Sequence, residues 1–172
     1  MALNHLEQLV AEWLQYKGYF VRVSVPVGAR AKGGFEGELD VVALNPATEH
    51  VLHVECSLDA LSAEKRDSRF EEKFKRGRKY IKDAFNGIKL PDKPLEQVLV
   101  LQFASGKTQS FGGARVVSVR EFIHEIYDGL KGTSPASRAV SSNLPLLRTI
   151  QLSVDANKHP PQGGRSILSR ST

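Results

Sequence analysis

The chain has 172 residues, 41% of them hydrophobic and 25% charged, with a formal net charge of +5. This length suits one domain that buries about 70% of its unfolded surface, and the composition excludes a collagen-like or wholly disordered chain. A mean hydropathy of −0.27 and apolar runs of only strand length, such as Val98 to Leu101, speak against a bilayer-spanning helix of roughly 20 residues. The first residues, Met-Ala-Leu-Asn-His-Leu-Glu-Gln, lack a basic segment followed by an apolar one, so no secretory signal is read and a cytoplasmic location is expected. A single cysteine, Cys56, allows neither an internal disulfide nor a multi-cysteine zinc site.

Charge is unevenly spread. Residues 1–63 hold four Lys or Arg against eight Asp or Glu, whereas 64–93 hold eleven basic against six acidic residues. Acids clustered beside a basic segment suit a cation held in one place and a polyanion gripped next to it.

Leu3, Leu6, Val10, Trp13 and Leu14 recur at three- and four-residue steps, with Asn4 as a cap and Gly18 beyond, predicting a helix over about 4–17. A β-rich strand follows at 19–27, then a glycine-rich loop at 28–37. Strands at 38–44 and 51–57 flank Asn45-Pro46-Ala47-Thr48, a turn signal, and so predict a hairpin. From about 60 to 85 the chain is helical and basic, with Phe70, Phe74, Gly77, Ile81 and Phe85 on one face. Beyond Asn86-Gly87 come a buried strand at 97–104, a short strand at 115–119 and a helix ending at Gly132. Leu144, Leu147, Ile150 and Val154 give one more helix, 143–154, with Pro145 near its start. The expected organisation is a domain over 1–132, a helical extension over 133–154 and a flexible basic tail over 155–172.

Several motifs fail. Gly106-Lys107-Thr108 resembles the end of a phosphate-binding loop, but Leu101 stands where the first glycine belongs. Glycines 28, 33, 34 and 37 do not fit a dinucleotide fingerprint, and no Gly-x-Ser-x-Gly elbow occurs. None of the five histidines forms His-x-x-x-His, and His53 is singled out only because strand parity puts it on the face of Glu55. Cys56 points to the opposite face, as a small core residue.

What remains is Gly37-Glu38-Leu39-Asp40-Val41-Val42-Ala43, then His53-Val54-Glu55-Cys56-Ser57, with Glu7 upstream on the first helix. Pairing the two strands brings Asp40 beside Glu55, and two buried carboxylates repel unless a cation lies between them. Hard oxygen ligands of this kind suit Mg2+ or Mn2+. Glu36 and Glu38 either join that shell or face water, with water favoured for Glu36.

Over residues 4–104 this pattern resembles the PD-(D/E)xK, or restriction-endonuclease-like, nuclease superfamily, nearest to its Holliday-junction-resolvase and methyl-directed restriction branches. The resemblance implies an α/β fold with a mixed central sheet of four or five strands flanked by helices. It also implies a metal-dependent endonuclease acting on DNA in restriction, repair or mobile-element defence, with Asp40 and Glu55 as metal-binding acids and Glu7 as the helix-one acid. One departure stands out: the motif's lysine, two residues after the second acid, is here Ser57. Lys73 on the basic helix, aligned with Arg66, Arg69, Arg76 and Tyr80, is the candidate for a displaced catalytic cation. Arg30 and Lys32, in the glycine-rich loop, join Arg66, Arg69 and Arg76 as expected nucleic-acid contacts. The rival expectation is a catalytically silent nucleic-acid-binding module of the same fold, and a third is an interaction subunit whose basic surface meets an acidic partner. Members of the superfamily often dimerise to cut two strands, so a homodimer is an implied partner. A separate recognition protein is another, since no helix-turn-helix or zinc-finger reader is present.

Overall fold

The computed structural model describes residues 4–59, 63–102 and 110–158. Asn4 caps the first helix by accepting from the Leu6 amide at 3.0 Å, and α1 runs His5–Tyr16. Strands β1 (Phe20–Ala29), β2 (Phe35–Asn45) and β3 (His50–Ser57) form an antiparallel meander. Helix α2 (Ala63–Tyr80) and a short 3-10 turn at Asp83–Phe85 lead to β4 (Glu96–Leu101), which lies parallel to β3. Then come β5 (Ser110–Phe111), β6 (Ala114–Ser118), α3 (Val119–Leu130) and α4 (Pro145–Lys158). Sheet order is β1-β2-β3-β4-β6-β5, with β6 parallel to β4 and antiparallel to β5.

The mixed α/β architecture expected from the sequence is present, with six strands where four or five were expected. Two-residue β5 is too short to carry an alternating pattern of its own. The stretch read as a loop over 28–37 is half strand: β1 and β2 pair out to Ala29↔Phe35, and residues 30–34 make the turn. Gly28 misleads because it sits inside β1 at φ +71, where an added Cβ would lie 2.9 Å from the Tyr80 ring. Glycine here admits α2 against the strand instead of ending it.

Apolar faces assign the layers. On one side of the sheet, Leu6, Val10, Trp13, Phe122, Ile126, Leu130, Leu147 and Val154 from α1, α3 and α4 pack on Val41, Ala43, Val54 and Val100. On the other, Phe70 and Phe74 of α2 meet Leu99 and Leu101, while Ile81 and Phe85 meet Val25, Leu39 and Val42. Ser118 starts α3 with a reciprocal capping box to Glu121. Helix α4 begins at Pro145 and continues four residues past its expected end, so residues 155–158, read as tail, are helical; Lys158 in the last turn suits the helix dipole. Residues 159–172, expected to be flexible, lie outside the described residues, as do Ala104 and Gly106-Lys107-Thr108. Among the described residues no helix is long and apolar enough to cross a membrane.

Glu12 is 4% exposed on α1, and its Oε2 accepts from the Leu147 amide of α4 at 2.8 Å while Gln8 donates to Oε1. A carboxylate from one helix thus caps the first turn of another and ties α4 into the core. Glu12→Ala leaves that buried amide unpaired and is expected to lower the unfolding free energy by about 1–3 kcal/mol, with Glu12→Gln losing less. Urea denaturation measures both; an unchanged midpoint in Glu12→Ala would show that α4 docks without this bond.

Candidate functional site

The site lies where the sheet forks. Strand β2 pairs with β1 along its whole length but with β3 only from Asn45↔His50 to Val41↔Val54. Next in line stand Asp40 and Glu55, and there β2 leaves β3, which continues beside β4 to Ser57↔Leu101. The Cys56 amide, facing a gap where a β2 carbonyl would otherwise accept, donates instead to Asp40 Oδ2 at 2.9 Å. At the same level both outer strands change faces. Val21, Val41 and Ala43 pack on the α1 side, whereas Val25, Val27 and Leu39 pack on the α2 side, and Ser24, opposite the switch, has φ +48. Alternation from Leu44 and Val42, both on the α2 side, turns Asp40 towards α2, and the reversal beyond it brings Leu39 to that side as well.

Lys73 completes the cluster. Its ammonium lies 3.0 Å from Asp40 Oδ1 and donates also to Glu55 Oε2. Asp40 and Glu55 are 7% and 0% exposed as residues, and the Lys73 side chain 20%, so the lysine is the member nearest solvent. Glu55 Oε1 is bonded to His53 Nε2 at 2.8 Å.

Burial and the neighbouring Glu55 charge push the Asp40 carboxyl up to about 7, against the pull of Lys73. Burial acts on Glu55 in the same sense, but the His53 hydrogen bond and the Lys73 charge outweigh it and hold Glu55 down at about 2. Of two coupled acids one keeps the charge while the other shares the proton, and here the His53 hydrogen bond and the Lys73 charge favour the anion at Glu55. Burial alone would lower Lys73, yet Glu55 and Asp40 together raise it, so it stays an ammonium at neutral pH.

The sequence-expected residues are placed as follows. Asp40, Glu55 and Lys73 converge in one hydrogen-bonded cluster. Glu7, on the first turn of α1, is raised mainly by burial and feels the charges of Lys73, Glu38 and Glu55, so it joins the cluster through its field. Ser57 Oγ accepts from the Asp59 amide at 3.2 Å and closes a turn. Cys56 is buried in the α1-side core with its thiol pushed up by burial. Arg30 and Lys32 sit exposed on the β1–β2 hairpin tip. Arg76 crosses Gly37, where an added Cβ would meet its guanidinium at 2.5 Å.

One expected contact is placed otherwise, and a second is paired while still exposed. Arg66 is 8% exposed and donates to the Asp59 carbonyl, so it belongs to the interior of the α2 packing and is absent from the exposed basic face. Arg69 pairs with the Asp59 carboxylate at 2.8 Å. The loop after β3 therefore engages both arginines, which helical spacing alone could not show. Glu36 bonds Lys79 at 3.2 Å and is held below the usual carboxylate range, first by Tyr80 and then by Lys79.

Among the described residues no group of three or more His, Cys, Asp or Glu side chains is placed to hold a metal ion. What the site offers is two carboxylates already bridged by a cationic side chain, a donor set that fits Mg2+, which typically keeps several waters and takes one or two carboxylates. A cleft of about 220 Å3 between α1, α3 and the sheet, lined by Trp13, Tyr19, His50, Glu96 and Arg115 among others, lies apart from this cluster. No protein-family model matches the chain, and no curated protein matches it.

The Asp40 shift carries a stability signature. Its folded value of about 7 exceeds the ordinary 3.8, so between those values the native state holds a proton that the unfolded chain has released. Stability therefore falls as pH rises from about 4 to about 7, at roughly 1.4 kcal/mol per pH unit at most. Glu55 acts oppositely and lower down, its contribution being lost as pH drops through about 2. Asp40→Asn should thus gain stability relative to the parent at pH 8 compared with pH 5. Denaturant midpoints at both pH values test this, and an equal difference at the two would contradict a raised Asp40.

Proposed function

We propose that the protein is a metal-dependent nuclease that hydrolyses phosphodiester bonds in DNA, with Asp40 and Glu55 holding Mg2+ or Mn2+ and Lys73 serving as the displaced cation. One observation carries this reading: the Lys73 ammonium, delivered by α2, reaches both buried acids of β2 and β3. The resemblance requires a cation at that place, and Ser57 leaves it missing from the strand.

A bound divalent ion would supply charge neutralisation on the phosphodiester and an activated water. The protein's own groups divide the remaining work. Asp40 and Glu55 present fixed oxygens, oriented by the Cys56 amide and His53. Lys73, kept charged by the acids, cannot act as a general base; it acts as a donor and positive charge towards a phosphoryl oxygen. Exposed Arg30 and Lys32 on the hairpin and Lys75 and Lys79 on α2 support a polyanion lying across the opening. Glu7, across the fork, adds negative charge that favours cation uptake. A homodimer and a separate recognition protein are part of the same proposal.

One feature favours the rival reading, a silent nucleic-acid-binding module. Lys73 already bonds both acids and offsets the Glu55 charge while Asp40 shares a proton, so the cluster is satisfied without a metal. The two readings separate in Lys73→Ala. Removing one partner of a buried ion pair costs about 3–5 kcal/mol, and a true cation site should recover much of this when Mg2+ or Mn2+ is added. Cleavage of plasmid, single-stranded and branched DNA is expected from the parent, absent in Asp40→Ala, and reduced about a hundred- to a thousandfold in Lys73→Ala. Salt-sensitive DNA binding without cleavage, and no metal rescue of Lys73→Ala, would instead establish the silent module.

A further inference from the structure

We infer that Gln97 and His53 form a positioning relay that fixes the tautomer of His53 and thereby the orientation of Glu55, an inference that rests on Glu55 being a cation ligand as proposed above. Gln97 is the second residue of β4 and lies directly beside His53 in the parallel register. Its Nε2 is 2.9 Å from the Phe74 carbonyl oxygen and 3.0 Å from His53 Nδ1, while its Oε1 is 2.6 Å from Arg78 Nη1.

Donor and acceptor rules leave one assignment. Arginine only donates, so the Gln97 oxygen faces Arg78 and the amide NH2 faces Phe74 and His53. The NH2 group only donates, so His53 Nδ1 must accept and carries no proton. The imidazole proton is then on Nε2, from which it donates to Glu55 Oε1 at 2.8 Å. A proton on Nδ1 would set two donors against each other. Flipping the amide to avoid that would oppose its oxygen to the Phe74 carbonyl and its NH2 to Arg78.

Packing seals the relay. His53 is 0% and Gln97 9% exposed, and the His53 ring meets Phe74 edge-on with centroids 5.5 Å apart. The α2 backbone passes so close at Gly77 that an added Cβ would lie 2.3 Å from His53 Nδ1 and 3.0 Å from Gln97 Nε2. No room exists there for water to substitute for the Gln97 donor. Glu55 is therefore pinned through both oxygens, by His53 on one and Lys73 on the other. If Lys73 moves aside for a divalent ion, Oε1 stays engaged and Oε2 remains aimed at the cation. His53 and Gln97 are positioning residues, acting on the cation only through Glu55.

The experiment is 15N NMR of the imidazole nitrogens, with Mn2+ titration, on the full chain and on Gln97→Leu and Gln97→Glu. In the parent, His53 should show a protonated Nε2 and a bare Nδ1. Gln97→Leu should lose that fixed tautomer and bind Mn2+ about ten- to a hundredfold more weakly. Gln97→Glu, which offers an acceptor in place of the donor, should draw a proton onto Nδ1. A parent spectrum with Nδ1 protonated overturns the relay, and needs no variant to fold. So does a folded Gln97→Leu that binds Mn2+ within about twofold of the parent. A parent that shows the expected tautomer but takes up no Mn2+ refutes the metal reading and leaves the relay standing.

Discussion

Two carboxylates, Asp40 and Glu55, are buried within hydrogen-bonding reach of one ammonium, and much of the surrounding architecture follows from that constraint. An ionised carboxylate without partners in an interior is prohibitively costly, so each oxygen has to be accounted for. Asp40 Oδ2 takes the Cys56 amide, Oδ1 takes Lys73, and Glu55 divides its oxygens between Lys73 and His53. The fork between β2 and β3 makes this possible. Had the ladder continued, the Cys56 amide would have been spent on a β2 carbonyl, and Asp40 would have lacked a donor. Pairing between β2 and β3 is thus given up beyond Val41↔Val54 in exchange for a hydrogen bond to the Asp40 carboxylate.

The same constraint governs α2. To deliver Lys73, the helix must approach the sheet closely along its length, and its small residues and partners are arranged for it. Gly77 lets its backbone touch His53 and Gln97, Gly37 admits Arg76, and Gly28 admits Tyr80. Replacing Gly77 would push the helix outwards, and the lysine with it, whereas at Gly37 the Arg76 guanidinium can swing aside. Arg66 and Arg69, fastened to Asp59, hold the other end of the helix to the loop leaving β3.

How much of this was legible follows from which signals are local. Asp40 and Glu55 stood out because two acids within β-branched runs need a reason, and strand alternation is a local property. Lys73 was found by helical spacing from Phe70 and Phe74, again local. Gln97 was missed because its importance depends on parallel pairing across 44 residues, which sets His53 beside it. Arg66 misled for a related reason: its position on the helix is readable, but the loop that buries it is not. Glu12 was not singled out, since nothing nearby in sequence announces that α4 will bring an amide to it. The hairpin at 28–37 was read as a loop because glycine usually breaks a strand; here it admits a tyrosine ring.

A buried ion cluster is weak evidence for stability, and the packing of α2 shows why that matters here. Fully burying an aromatic or aliphatic side chain contributes about 1.5–3 kcal/mol, and Phe70, Phe74 and Ile81 are all buried along one stripe. Those side chains contribute to docking the helix independently of the charges. Apolar residues of similar volume at positions 40, 55 and 73 would often fold as well or better, because desolvation consumes most of what the charges gain. The cost is visible in Asp40, whose carboxyl is driven up to about 7 by burial beside Glu55. A group held so far from its ordinary value, next to a charged lysine and an acid oriented by a sealed relay, is expensive as scaffolding. The physical case for chemistry at the fork therefore sets the hydrophobic stripe beside the charges: apolar burial contributes to holding the helix, and a charged cluster this costly to bury is characteristic of functional sites.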